Sequence, residues 1–268
     1  MAGRLIQRIF IAVLFAGVVS TGCRSTFDAS GNLRADNFRF RRGDYNEADR
    51  QLANDVDRRS IQIWMTEEEA PFARGSTIHV GQAALIGPDG LALTALHVVD
   101  SGVAFTIHDP EDSGSVIRVI RLTPDGPEVA GPGDTKRIIR DPLIIPVRLE
   151  KAFPESDLCL VRVSLESSMH FELSAELPVI GDELTVGLNP VIHPEIKAVT
   201  GRVTGVDQKT GFHAIHGSAA AIQGDSGSPA VLSDGTLVGC VVSGRIALLN
   251  PGHISELTVH GFSSLPEW

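Results

Sequence analysis

The chain contains a serine, Ser226, that lies between Gly224 and Gly227 in the stretch Gln223-Gly224-Asp225-Ser226-Gly227-Ser228-Pro229. Glycine destabilises both helices and strands, so Ser226 is predicted to lie in a turn with its hydroxyl clear of the backbone. Neighbouring N–H groups can then point at the same spot, which suits a nucleophile beside an oxyanion hole. The structural alternative is a glycine-rich turn before the apolar strand predicted at 236–244.

An activated serine needs a base, and the base needs an orienting acid. His97 follows the apolar block 91–96, and histidine can both take and return a proton near neutral pH. Asp157 opens the apolar block 158–163, where a carboxylate would be buried unless it is paired. We therefore select Asp157 over acids such as Asp100. The alternatives are a buried histidine at a strand end and a turn aspartate.

The order His, Asp, Ser is the chymotrypsin order, whereas subtilisin and the α/β-hydrolases use other orders. The Thr-Ala-Leu-His block, the Asp-Leu-x-Leu-Val strand and the Gly-Asp-Ser-Gly-Ser-Pro loop resemble the trypsin-like serine proteases. They are most similar to the bacterial branch that includes the HtrA proteases. The three blocks span residues 76–247. An HtrA protease normally continues into a PDZ domain, and we expect none after Phe262.

The resemblance implies an all-β fold of two six-stranded antiparallel β-barrels with the site in the cleft between them. It implies a serine endopeptidase that acts on protein or peptide substrates without a cofactor. His97, Asp157 and Ser226 would be the catalytic residues, and the N–H groups of Gly224 and Ser226 would form the oxyanion hole.

The family's specificity pocket can be carried over residue by residue. Ala220 would lie at the pocket base, Gln223 would contact the substrate, and Val242, Ser243 and Gly244 would form a wall that pairs with the substrate backbone. Because no acid occupies position 220, a preference for Arg or Lys is not expected. No histidine lies at 241–244, which weakens a Glu-specific interpretation. We expect a small or medium apolar residue before the scissile bond.

In trypsin-like enzymes with cleaved zymogens, the acid at the position of Asp225 pairs with a new N-terminal amine. No activation-site block precedes Ser76, so a cleaved zymogen is not expected. Asp225 is then expected to pair with another cation, such as Arg202, or to stay solvated.

Residues 1–23 are predicted to be a targeting segment: a short basic start, an apolar run at 9–19, and small residues before Cys23. This pattern resembles a bacterial lipoprotein signal, in which Cys23 is lipidated and anchors the protein to the cell envelope. Ser20 departs from the usual leucine three places before the cysteine. Secretion with cleavage nearby is the alternative.

The remaining chain is predicted to contain a tether and short helix at 24–57 and one peptidase domain at 58–268. Period-two hydrophobic patterns between turn residues indicate short strands, grouped into barrels at about 58–165 and 178–262. The amphipathic helix is predicted over 44–59, a strand over 116–121, and a surface loop over 123–134, which is rich in Gly, Pro and Asp.

The net charge of −10 argues against a nucleic-acid partner, because phosphate binding needs clustered Lys and Arg. The histidines other than His97 show no ligand spacing with cysteines or paired acids, so no metal site is expected. Cys159 and Cys240 lie in apolar strand-like runs. They could be buried free thiols, or they could form a disulfide in an exported protein.

Two rival functions stay open at this point. A protease-fold binding module could hold a peptide or partner without turning it over, and an idle oxyanion loop around Asp225 would favour it. An esterase could use the same three residues, but the chain lacks the α/β alternation of the usual esterase fold.

Overall fold

The computed structural model describes residues 47–66, 77–100, 102–112, 117–123, 125–130, 135–167, 169–190, 198–207, 211–216, 224–245 and 256–261. The predicted signal segment and tether lie outside these residues. In the described ranges the chain forms one helix, α1 (Glu47–Arg58), and the strands β1 (Ser60–Thr66), β2 (Thr77–Leu85), β3 (Leu91–Ala95), β4 (Val103–His108), β5 (Arg121–Thr123), β6 (Gly126–Ala130), β7 (Lys136–Ile138), β8 (Leu143–Phe153), β9 (Leu158–Val163), β10 (Glu183–Gly187), β11 (Ala198–Asp207), β12 (Gly211–His216), β13 (Pro229–Val231), β14 (Leu237–Arg245) and β15 (Glu256–Gly261).

Twelve of these strands close into two antiparallel barrels, which confirms the predicted fold class. The first barrel has the order β1-β2-β3-β9-β8-β4, and the second has the order β10-β11-β12-β15-β14-β13. Closure leaves no strand edge unpaired around either barrel. The alternating apolar residues that predicted the strands point into the two barrel cores.

The apolar core of the first barrel continues into the second. Val231, Leu237, Cys240 and Val242 belong to strands β13 and β14, yet they pack in the same buried cluster as the residues of β1, β2, β3 and β9. A separate cluster around Leu184 fills the second barrel. The shared cluster packs β14 against the strand that leads to His97.

Helix α1 packs its apolar face on both barrels. Val56 is 1% exposed, and a Cβ placed on Gly187 of β10 would lie 3.0 Å from its side chain. The helix then leads directly into β1, and the Ser60 hydroxyl donates to the Val56 carbonyl at 2.6 Å. The predicted helix is therefore present over 47–58, and its first three residues, 44–46, lie outside the described residues. In the described part of the chain, no helix is long and apolar enough to cross a membrane.

A small three-stranded sheet, β5-β6-β7, is inserted between β4 and β8. The prediction of a surface loop over 123–134 was wrong, since β6 crosses it. The predicted strand over 116–121 was also wrong, because residues 117–120 are not strand. Glu128 of β6 is 4% exposed and is paired with Arg121 and Lys136 from the two flanking strands. These ion pairs add to an apolar contact, since Val129 of the same strand packs in a buried cluster with Phe105 and Ile107 of β4.

The two remaining cysteines are free thiols buried in the core. Cys159 lies on β9 and Cys240 lies on β14. The Cys240 thiol donates to the Leu93 carbonyl at 3.5 Å. Burial raises the pKa of Cys159 to about 12, and burial likewise raises the pKa of Cys240. Of the two alternatives left by the sequence, the structure has the free thiols.

We therefore expect both thiols to be inert to a thiol reagent in mildly alkaline native buffer and to react fully in guanidinium chloride. The measurement is a colorimetric thiol titration of the full chain carrying Cys23→Ser, without reductant. Because the unfolded thiol ionises near pH 9 and the folded one does not, the free energy of unfolding should fall as the pH rises from about 9 towards 12. Two thiols that stay silent even in denaturant would indicate a disulfide instead.

Candidate active site

The pairing of β3 with β9 brings His97 and Asp157 together. The register places Ala95 opposite Leu158, so the chain leaving β3 meets the residue that precedes β9. Beyond the last pair, the backbone N–H of Leu96 donates to the Asp157 carbonyl at 2.8 Å. His97 follows in a short 3-10 turn, Leu96–Val98, at the barrel rim.

The Asp157 carboxylate holds His97 at two points. Its Oδ1 accepts the His97 backbone N–H at 3.1 Å, and its Oδ2 lies 2.6 Å from the ring Nδ1. This arrangement fixes the ring so that Nδ1 carries a proton towards the acid and Nε2 is free to accept one. The side chains are 46% and 38% exposed, respectively. Asp157 is therefore paired, as expected, but it is half-buried rather than buried.

The backbone of Asp157 is left-handed, with φ 51° and ψ 36°. Aspartate tolerates this conformation better than most residues, and here it ends the 3-10 turn Pro154–Ser156 and turns the carboxylate towards His97. The ring Nδ1 of His260 on β15 contacts the Ser156 carbonyl. A residue of the second barrel thus holds the turn that carries the acid of the first.

The loop of Ser226 is held against the first barrel by strand β2. The Ser226 carbonyl accepts the backbone N–H of Gln82 at 2.8 Å. A Cβ placed on Gly81 would lie 2.5 Å from that carbonyl and 2.7 Å from the side chain of Val98, the residue after His97. The serine loop and the histidine turn therefore lie against the same glycine of β2.

Glycine is required at position 227 by both the backbone conformation and the close packing around it. Its φ is +82°, and an added Cβ would lie 1.9 Å from the Gln82 carbonyl and 2.4 Å from the Thr94 hydroxyl. Its N–H donates to the Val241 carbonyl of β14 at 2.7 Å. Any side chain here would push Ser226 away from β2.

Asp225 is neither solvated nor paired with Arg202, contrary to the expectation from the sequence. It is 1% exposed, and its Oδ1 accepts the backbone N–H of Asn189 at 2.8 Å. Arg202 instead binds Glu183 at 2.6 Å and the Gly181 carbonyl at 3.2 Å, on an exposed part of the second barrel. The difference arises because Asn189, two residues after the end of β10, contacts the serine loop at Gly224 and Asp225.

The predicted substrate contacts have different outcomes. Ala220 and Gln223 lie outside the described residues. Val242 is 6% exposed and packs in the shared core, and its role as a pocket wall stays a prediction. Ser243 is exposed, and Gly244 pairs with Leu257 of β15. The role of Ser243 and Gly244 in substrate binding stays a prediction.

Several buried polar residues at the site were missed by the sequence analysis. The Gln82 amide donates to the Ser228 hydroxyl at 3.0 Å, and the Thr94 hydroxyl donates to the Gln82 carbonyl at 2.6 Å. The Asn189 amide donates to the Gly224 carbonyl at 2.9 Å. A signal was present for Gln82, because it is the one polar side chain in the run 80–86. Such a residue must find a partner once it is buried.

Within the described residues, no group of three or more His, Cys, Asp and Glu side chains is gathered as a metal site. The site is thus a histidine–aspartate pair beside a serine loop, at the junction of two β-barrels. This is the architecture of a chymotrypsin-fold peptidase. The chain belongs to the trypsin-like peptidase domain family, whose family model matches residues 81–240.

Other comparisons add little to this assignment. A search of curated proteins finds no match to the chain. Among solved structures, the chain is similar to the MamO protease domain from Magnetospirillum magneticum in its apo form. The identity is 18%, over 76% of this chain and 93% of that chain, with a TM-score of 0.49.

The replacement Gly227→Ala should dislodge the serine loop, because the new Cβ meets the backbone of β2. Gly235→Ala is a matched control, since Gly235 has φ +84° but its nearest neighbour would be the Leu52 side chain at 3.7 Å. The free energy of unfolding of the control should fall by about 1–2 kcal/mol, because alanine is strained in a left-handed backbone. Gly227→Ala should lower the free energy of unfolding clearly more than the control does, and it should abolish fluorophosphonate labelling of Ser226. Denaturant unfolding and labelling measure both effects, and equal losses in the two variants would contradict the close packing at Gly227.

Proposed function

We propose that this protein is a serine endopeptidase that hydrolyses peptide bonds through His97, Asp157 and Ser226. The observation that carries this proposal is the hydrogen bond between Asp157 Oδ2 and His97 Nδ1, at 2.6 Å, beside a serine loop in a trypsin-like peptidase domain. A histidine held in this way is ready to take a proton on Nε2.

In the proposed reaction, the Ser226 hydroxyl attacks the substrate carbonyl and passes its proton to His97 Nε2. Asp157 stabilises the imidazolium that forms. The N–H groups of Gly224 and Ser226 stabilise the oxyanion of the tetrahedral intermediate. His97 then returns the proton to the leaving amine, and water hydrolyses the acyl-enzyme by the same route. The substrate would be a protein or peptide strand that pairs with the backbone of 242–244.

The rival function, a protease-fold module that binds without turnover, loses the observation that favoured it. That alternative was favoured by the missing activation route for Asp225, since a disordered oxyanion loop would leave the site idle. Asp225 is instead buried and hydrogen-bonded to Asn189, which supports a loop that is ordered before substrate arrives.

Replacing the nucleophile tests the proposal directly. The full chain should be labelled by a fluorophosphonate probe and should cleave casein. Ser226→Ala should abolish labelling and lower turnover by at least about 10⁴-fold, because no other group can form the acyl-enzyme. Ser164→Ala, which changes an exposed serine at the end of β9, should retain both activities. A folded wild-type chain that binds peptides but is neither labelled nor active would indicate the binding module.

We also propose that the protein is exported and is lipidated at Cys23 in a bacterial cell envelope. Support comes from the basic start, the apolar run at 9–19 and the small residues before the cysteine. Within the family, the proposed relationship is to the branch of HtrA-like peptidases.

Metabolic labelling with palmitate tests the anchor. Wild-type chain expressed in a bacterial host should incorporate the label and sediment with membranes, since two or more acyl chains give stable anchoring. Cys23→Ser should lose the label and the membrane association. An unlabelled wild-type chain that is cleaved and released into the soluble envelope fraction would indicate simple secretion.

A further inference from the structure

The acid beside the proposed nucleophile is buried, and it accepts a hydrogen bond from a residue that the sequence analysis did not single out. Asp225 is 1% exposed, and a buried carboxylate is costly unless hydrogen bonds stabilise it. The backbone N–H of Asn189 donates to Asp225 Oδ1 at 2.8 Å. A hydrogen bond to an ionised acceptor is roughly twice as strong as one between neutral groups.

Asn189 also holds the residue before Asp225. Its side-chain Nδ2 donates to the Gly224 carbonyl at 2.9 Å. Its side-chain Oδ1 accepts from the Gln62 amide at 3.4 Å, which links it to β1 of the first barrel. Asn189 is 0% exposed, so water does not compete for these bonds. Asn189 therefore binds both the Gly224 carbonyl and the Asp225 side chain, which lie on either side of the same peptide.

The position of Asn189 in the chain suits this task. It follows β10 after one further residue, and it directly precedes Pro190. A residue before proline is restricted to extended backbone conformations. The direction of its N–H is thus fixed by the end of the strand and by the proline.

The Gly224–Asp225 peptide lies between the two N–H groups that would form the oxyanion hole. Gly224 has φ +107°, a conformation that only glycine adopts readily, so the peptide before it could rotate easily if nothing held its neighbour. We propose that Asn189 is the positioning residue of the serine loop. It keeps the N–H groups of Gly224 and Ser226 aimed at the substrate carbonyl without a newly cleaved amine at Asp225. This inference rests on the proposed peptidase function and deepens it.

Asn189→Ala removes the bond to the Gly224 carbonyl, and Asn189→Asp removes the same donor with nearly unchanged size. Thr185→Val is the matched control, since it deletes a part-buried hydrogen bond of 2.9 Å between Thr185 of β10 and Thr200 of the neighbouring β11. Both Asn189 variants should lose roughly 10- to 10²-fold in kcat with little change in KM. Mispositioned oxyanion donors weaken binding of the transition state and not of the substrate. Affinity for a peptide aldehyde, whose adduct with Ser226 places an oxygen at the same donors, should fall by the same factor.

Hydrogen exchange separates this inference from the proposed function. Amides of the segment 224–228 should exchange faster in both Asn189 variants than in wild type and Thr185→Val, and this needs no turnover. If wild type is neither labelled nor active, the proposed function fails and the exchange comparison alone decides whether Asn189 holds the loop. The inference is overturned if the Asn189 variants match Thr185→Val in kcat, or if their loop exchanges no faster.

Discussion

A pair of buried glutamines joins the two barrels at the point where the proposed chemistry takes place. Gln62 and Gln82 face each other on β1 and β2. Gln82 donates to the Ser226 carbonyl and the Ser228 hydroxyl, and Gln62 donates to Asn189. Leaving a buried amide without a partner costs about 1–3 kcal/mol. Any shift between the barrels would break several of these bonds at once, so this polar contact fixes one relative position.

The histidine and the acid depend on a different constraint, which is the register of β3 against β9. A slip of one residue would turn every core side chain of a strand to the outside. Because Leu93 and Leu160 are both buried opposite each other, the register is strongly specified by the core. His97 and Asp157 lie just beyond the paired residues, and the packing of apolar side chains therefore determines a hydrogen bond at the rim.

Much of this arrangement could be predicted from the sequence because it follows from local patterns. His97 and Asp157 flank apolar strands. Ser226 lies in a turn whose backbone conformation requires glycine. The partner of Asp225 could not be predicted, since Asn189 is 36 residues away in the chain and only the closure of the second barrel brings it near. The inserted sheet was missed because the Gly, Pro and Asp residues around β6 are typical of a loop, and the packing of Val129 with Phe105 of β4 depends on contacts distant in the chain.

Helix α1 has a mechanical consequence for a chain that continues before Glu47. The side chain of Val56 in this helix packs on Gly187 of the second barrel. The last residues of the helix lead into β1 of the first barrel. A pull that arrives from the N-terminal side is therefore shared by both barrels through the packed face of the helix. β1 therefore does not bear that load alone.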